Sequence, residues 1–148
     1  MRTIFILNGP NLNLLGHREP EIYGSTTLAE IKGWCEADAK ELSLAIDFRQ
    51  SNFEGEIIEA IHEARAKAAG IIINPAGYTF TSIAILDALK MVTRPKIELH
   101  ISNVHTREEI YHKSLVSRTA TAVMAGFGAY GYRLALRAMD EMTRSGTR

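Results

Sequence analysis

The chain is poor in several features that would each point to a class of function. Of its 148 residues one is cysteine, Cys35, so no internal disulfide can form. No Asn-x-Ser/Thr glycosylation acceptor occurs either, and the pair of absences fits a reducing compartment, the cytoplasm. An excess of one charge is also missing: 17 Lys and Arg balance 17 Asp and Glu, which leaves no basic footprint for nucleic acid and no acidic solvating tail. Long apolar runs are absent as well. The block Ile4 to Leu7 is too short for a signal-peptide core. The longest uncharged stretch, Ala68 to Leu86, is broken by Asn74, Pro75 and Gly77, so no membrane span is expected. A small molecule is the partner these exclusions leave.

What is present describes one domain over residues 1–148, since a chain of this length that is 46% hydrophobic can build a core without disulfides or metal. Short β-branched runs at Thr3 to Leu7, Leu44 to Phe48, Ile71 to Ile73, Ile97 to Ile101 and Thr121 to Met124 read as strands, mostly buried on both faces. Helical patterns separate them. The clearest opens with the capping box Thr27-Leu28-Ala29-Glu30 and puts Leu28, Ile31, Cys35 and Leu42 on one stripe. A second turns Ile57, Ile58, Ile61 and Ala64 inward, and a third runs from Ser82 through Leu89 until Pro95 stops it. A short helix capped by the Thr106 hydroxyl and a last helix over 130–144, burying Leu134, Leu136, Ala138 and Met142, complete the alternation. Strand and helix in turn, joined by right-handed crossovers, predict an α/β three-layer sandwich with a five-stranded parallel sheet in flavodoxin-like order.

In such a sheet ligands bind beyond the carboxyl ends of the strands, so the loops there hold the candidates. Gly126-Phe127-Gly128-Ala129-Tyr130-Gly131 matches the dinucleotide fingerprint, but the strand and acidic residue that should follow its helix do not. Its glycines read instead as a tight turn and a close helix-to-sheet approach. His100, His105 and His112 match no common zinc spacing, and no metal site is expected. No nucleophile elbow or phosphate loop is present, and Cys35 reads as a small core residue. Two pairings remain: Arg18 five residues before Tyr23, and His100 two residues after Glu98. A guanidinium beside a phenol favours phenolate, and alternate strand residues share a face, so Glu98 can orient His100. Spacing alone leaves open that Tyr23 merely closes a loop and that His100 is a buried strand-end histidine.

Asn8-Gly9-Pro10-Asn11-Leu12, Arg18-Glu19-Pro20 with Tyr23-Gly24, Asn74-Pro75, and the run from Glu98 through His100-Ile101-Ser102-Asn103-Val104-His105 to Arg107-Glu108 together resemble the type II 3-dehydroquinate dehydratases, over essentially the whole chain. The resemblance implies a flavodoxin-like homododecamer built from trimers. Such an enzyme removes water from 3-dehydroquinate by anti elimination, without a cofactor. It implies Tyr23 as tyrosinate base, Arg18 favouring that form, Asn11 holding a water for the enolate and His100, beside Glu98, as the acid. Substrate binding would fall to Asn74, the Ile101 and Ser102 amides, Asp87 reaching into an adjacent subunit's site, and Arg107 near the lid. Two positions depart from the family's pattern: Phe80 stands where it carries a histidine and Tyr111 where it carries an arginine, both of which recognise hydroxyls at the far end of the ring. Losing each partner costs about 1 to 3 kcal/mol where a group is left unpaired. A dehydratase acting on a different cyclic hydroxyketone, and a non-catalytic binding module, are the alternative readings; binding alone does not require an acid and a base together.

Overall fold

The computed structural model describes residues 1–144. Each strand grows from a β-branched apolar run, whose stiff side chains suit a buried pleated surface. The strands are β1 (Thr3–Asn8), β2 (Ala45–Gln50), β3 (Gly70–Asn74), β4 (Lys96–His100) and β5 (Ala122–Ala125). They pair in parallel in the order β2-β1-β3-β4-β5, the flavodoxin-like order expected. The helices are α1 (Pro20–Tyr23), α2 (Leu28–Glu41), α3 (Glu54–Lys67), α4 (Ile83–Lys90) and α5 (Gly131–Arg144).

Period-two alternation sorts the core into two layers. Ile4, Ile6, Ile72, Ile97 and Leu99 face α2 and α5, while Phe5, Leu7, Ile71 and Ile73 face α3 and α4. Burial on both faces holds for β1, β3 and β4 but not for β2 and β5, which lie at the sheet edges and stay largely half-exposed. The capping box at α2 forms in both directions: Glu30 N–H donates to Thr27 Oγ1 at 3.2 Å and Thr27 N–H to Glu30 Oε1 at 3.3 Å. Cys35 sits fully buried on the stripe that follows, and burial, with the negative charge of Asp38 behind it, pushes its thiol up to about 12. That is an inert core cysteine.

Two helical expectations are corrected. α5 buries Tyr132, Ala135, Leu136 and Met139, with Leu134, Ala138 and Met142 only half-buried, because the stripe at helical spacing begins at the amphipathic Tyr132 and passes through a small alanine. After β4 there is no α-helix capped by Thr106. A 3-10 turn over Val104–Thr106 is capped by Asn103, whose Oδ1 accepts from His105 N–H at 3.1 Å, and two more follow at Glu109–Tyr111 and Val116–Arg118. The Thr106 hydroxyl donates back to the Asn103 carbonyl. Gly131 serves the close approach read from the sequence, since a Cβ there would lie 3.1 Å from Leu99 Cδ1.

Asp38, buried on α2, ties that helix to α5 by accepting from Arg133 Nε and Nη2, both at 2.8 Å. The Arg133 hydrogen bond outweighs burial and, with the Arg133 and Arg137 charges, holds its carboxyl below the usual range. A depressed folded-state value stabilises the fold above the ordinary Asp range, about pH 4, and the contribution is lost as pH falls through the folded value. Urea midpoints should therefore drop as pH falls below about 4, and Asp38→Asn should lower the midpoint at neutral pH while shrinking that drop.

Candidate active site

Strand order reverses between β1 and β3, and the loops leaving β1, β3 and β4 meet there over a cleft of about 180 Å³. Gly9 lets the first two loops touch: its N–H donates to the Asn74 carbonyl at 2.8 Å, and a Cβ on it would lie 2.4 Å from the Pro75 oxygen. Asn11 (φ +70°) and Ala76 (φ +52°) hold left-handed backbone at the rim, strain worth about 1 to 3 kcal/mol each that the surrounding bonds must carry. Asn52 Oδ1 fixes Asn11 by accepting its N–H at 2.9 Å.

Beneath the cleft Tyr132 joins the ends of β1 and β3. Its hydroxyl donates to Asn8 Oδ1 at 2.7 Å and accepts from Asn74 Nδ2 at 2.9 Å, and burial pushes its ionisation well above the ordinary phenol range. Asn74 Oδ1 in turn accepts from Ala76 N–H at 3.2 Å. Tyr132→Phe should cost about 2 kcal/mol in denaturant unfolding, because two buried amides lose one partner while the ring still fills its space.

On one side of the cleft lies Tyr23, half-buried at the end of α1. The Arg18 guanidinium carbon stands 4.6 Å from the centre of its ring, as the sequence pairing anticipated. The phenol oxygen, however, accepts from Arg107 Nη1 at 2.8 Å, across 84 positions of sequence that no local spacing could link. Two guanidiniums therefore surround one phenol.

On the other side His100 ends β4, buried, with Nε2 at 2.5 Å from Glu98 Oε2. Burial pushes the Glu98 carboxyl up, but hydrogen bonds from His100, Ser117 and Ser114, with the charge of His100, outweigh it and hold the group below the usual range. Ser114 Oγ donates to both carboxylate oxygens at 3.0 Å and Ser117 Oγ to Oε1 at 2.5 Å. Glu98 takes the Nε2 side of the imidazole, which leaves Nδ1 for a ligand. Nothing in the sequence marks Ser114, Ser117 or Tyr132 for these roles, and only the fold shows what they touch.

Ile101 and Ser102 line the cleft just past β4, where Gly126 and Gly128 N–H groups take the His100 and Ile101 carbonyls and pin the turn. Phe80 and Tyr111 form its far wall: Phe80 stacks on His100 with ring centres 6.1 Å apart and meets Tyr111 edge-on at 5.5 Å. Asp87 is not part of this cleft. It lies exposed on α4, 3.9 Å from Lys90. His105 and His112 lie 6.3 Å apart, away from the His100–Glu98 pair they neighbour in sequence. A wider groove of about 990 Å³ runs between β2 and α3, lined among others by Arg49, Glu56 and His62, but the loops after β3 and β4 do not reach it.

A phenol beside two guanidiniums and an imidazole on a buried carboxylate face one cleft at the switch point of a parallel sheet, the layout of an enzyme's active site. The chain belongs to the dehydroquinase class II family, which matches residues 2–140. It is 55% identical over 141 residues to a 3-dehydroquinate dehydratase of Sinorhizobium medicae, covering 95% of each chain. It is 54% identical over 140 residues, again 95% of each, to 3-dehydroquinate dehydratase 2 of Pseudomonas aeruginosa. Its fold superposes on the crystal structure of the type II dehydroquinase of Propionibacterium acnes with a TM-score of 0.92 and 42% identity, over 95% of this chain and 97% of that one.

Proposed function

We propose that the chain, as one dehydroquinase-like domain over 1–148, removes water from 3-dehydroquinate to give 3-dehydroshikimate by anti elimination through an enolate. The observation that carries the reading is the pairing in one cleft of Tyr23, hydrogen-bonded by Arg107 and covered by Arg18, with His100, held by Glu98. Tyr23 as tyrosinate takes the proton beside the ketone, and the electron pair moves onto the ketone oxygen as an enolate. A water on Asn11 stabilises that oxygen. The enolate then re-forms the ketone, a carbon–carbon double bond forms, and the hydroxyl on the next carbon leaves with a proton from His100. Asn74 and the Ile101 and Ser102 amides hold the substrate's hydroxyl and carboxylate. Asp87, exposed on α4, reaches a neighbouring subunit's site in a homododecamer of trimers. The reaction uses no cofactor and takes place in the cytoplasm; among the described residues no helix is long and apolar enough to cross a membrane.

The test is an ultraviolet assay for enone formation from dehydroquinate, with sedimentation for the assembly. Turnover supports the reading; no turnover by the folded enzyme overturns it. The aromatic far wall keeps one second reading in view, a related cyclic hydroxyketone as substrate. Phe80→His keeps a flat ring against Tyr111 and adds a ring nitrogen for a substrate hydroxyl, so it should lower KM for dehydroquinate by up to about tenfold for each 1.4 kcal/mol regained. An unchanged KM with efficient wild-type turnover means other donors already serve that hydroxyl. A wild type that turns over only a less hydroxylated ring favours the second substrate.

A further inference from the structure

The far wall of the cleft is bonded to the reacting groups on both sides of it. From His100 the ring of Phe80 stacks at 6.1 Å, Tyr111 meets Phe80 edge-on at 5.5 Å, and the Arg107 guanidinium carbon lies 4.0 Å from the centre of the Tyr111 ring. Arg107 then reaches the Tyr23 oxygen at 2.8 Å, with its guanidinium carbon 5.4 Å from the Tyr23 ring centre. Its backbone is fixed separately, because the Arg107 carbonyl accepts from His112 Nε2 at 2.7 Å. The side chain itself makes no ion pair with a carboxylate among the described residues. The face of Tyr111 is what lies against it, at 4.0 Å.

We propose that Tyr111 is a positioning residue for the base: its ring holds the Arg107 guanidinium on the Tyr23 oxygen, and Phe80 holds that ring upright. A half-exposed arginine beside a cleft has many rotamers, and a donor in the right one only part of the time gives the phenolate only part of its stabilisation. An aromatic face at 4.0 Å narrows that choice without competing for the N–H groups that Tyr23 needs. A carboxylate could hold the arginine too, but its negative charge would oppose the phenolate. The other charged groups at Tyr23 are Arg18, 4.6 Å from its ring centre, and Glu19, which pairs with Arg18 at 3.3 Å. Among the described residues it is Arg107, not Arg18, that stacks on Tyr111, so the device acts through Arg107. This rests on Tyr23 being the base.

The test compares Tyr111→Leu, Tyr111→Phe and Arg107→Gln, with Tyr111→Leu also made in the Arg107→Gln background, by kcat, KM and pH profile with dehydroquinate. Tyr111→Leu should lower kcat about tenfold and move the acidic limb of the profile upward by about one pH unit, since the phenolate loses a well-placed cation. Tyr111→Phe, which keeps the face, should leave the limb where it is. In the Arg107→Gln background Tyr111→Leu should add little, because the group it positions is already gone. A Tyr111→Leu protein with a normal melting profile that raises only KM, or whose effect adds fully to Arg107→Gln, overturns the proposal and makes Tyr111 a substrate-lining residue. Tyr23→Phe separates the two readings: if it stays active the base assignment fails, whereas if it is dead and Tyr111→Leu leaves the limb unmoved only the positioning role fails.

Discussion

Tyr23→Phe should lower kcat by about 10²- to 10⁴-fold, the usual contribution of a positioned base. The substitution removes one atom, the oxygen that Arg107 Nη1 approaches to 2.8 Å, and keeps the ring that Arg18 covers. Tyr23 is only half-buried, so the melting temperature should barely move and the loss cannot be charged to unfolding. KM should change little, because the phenol is placed to act on a proton rather than to hold a ring substituent. The sharper measurement is exchange: in deuterated water the wild type should wash deuterium into the position beside the ketone of unreacted dehydroquinate whenever the enolate is reprotonated, and Tyr23→Phe should not. Activity above about a tenth of wild type would remove Tyr23 from the base role.

The fold was legible because its signals are local. β1, β3 and β4 announce themselves as apolar β-branched runs, and Thr27 with Glu30 marks the start of α2 whatever surrounds it. The break in pattern at Glu98 and His100, polar residues on a face otherwise kept for the core, marked one half of the site, since a carboxylate and an imidazole two apart on a strand share a side. The other half was legible only as far as Arg18, which lies close in sequence to Tyr23. Arg107 reaches the same phenol from 84 residues away, and Tyr132 reaches Asn8 and Asn74 from 124 and 58, distances at which no periodicity operates. The segment after β4 misled for a related reason. Thr106 followed by acidic residues has the composition of a helix start, but Asn103 caps first, and the chain is spent in 3-10 turns that bring Ser114 and Ser117 onto Glu98. In the sequence Phe80 and Tyr111 are two separate lost donors, whereas in the fold they form one packed wall that touches both His100 and Arg107.

His100→Gln should give a loss of similar size, about 10²- to 10⁴-fold in kcat, but of a different kind. Glutamine can still hydrogen-bond to Glu98, so the buried carboxylate keeps a partner alongside Ser114 and Ser117 and the fold should survive. What glutamine cannot do is carry a transferable proton at neutral pH, so the hydroxyl must leave as hydroxide. Enolate formation depends on Tyr23 and should continue; His100→Gln is therefore expected to exchange deuterium beside the ketone while forming almost no enone, whereas Tyr23→Phe should lose both. Glu98→Gln refines the point. It keeps the shape but replaces the carboxylate that His100, Ser114 and Ser117 hold with an amide, so the imidazole is less firmly placed and enone formation should fall while exchange persists. Loss of exchange in His100→Gln, with the protein folded, would mean that His100 takes part in removing the carbon-bound proton, and the division of labour between the two sides of the cleft would have to be reversed.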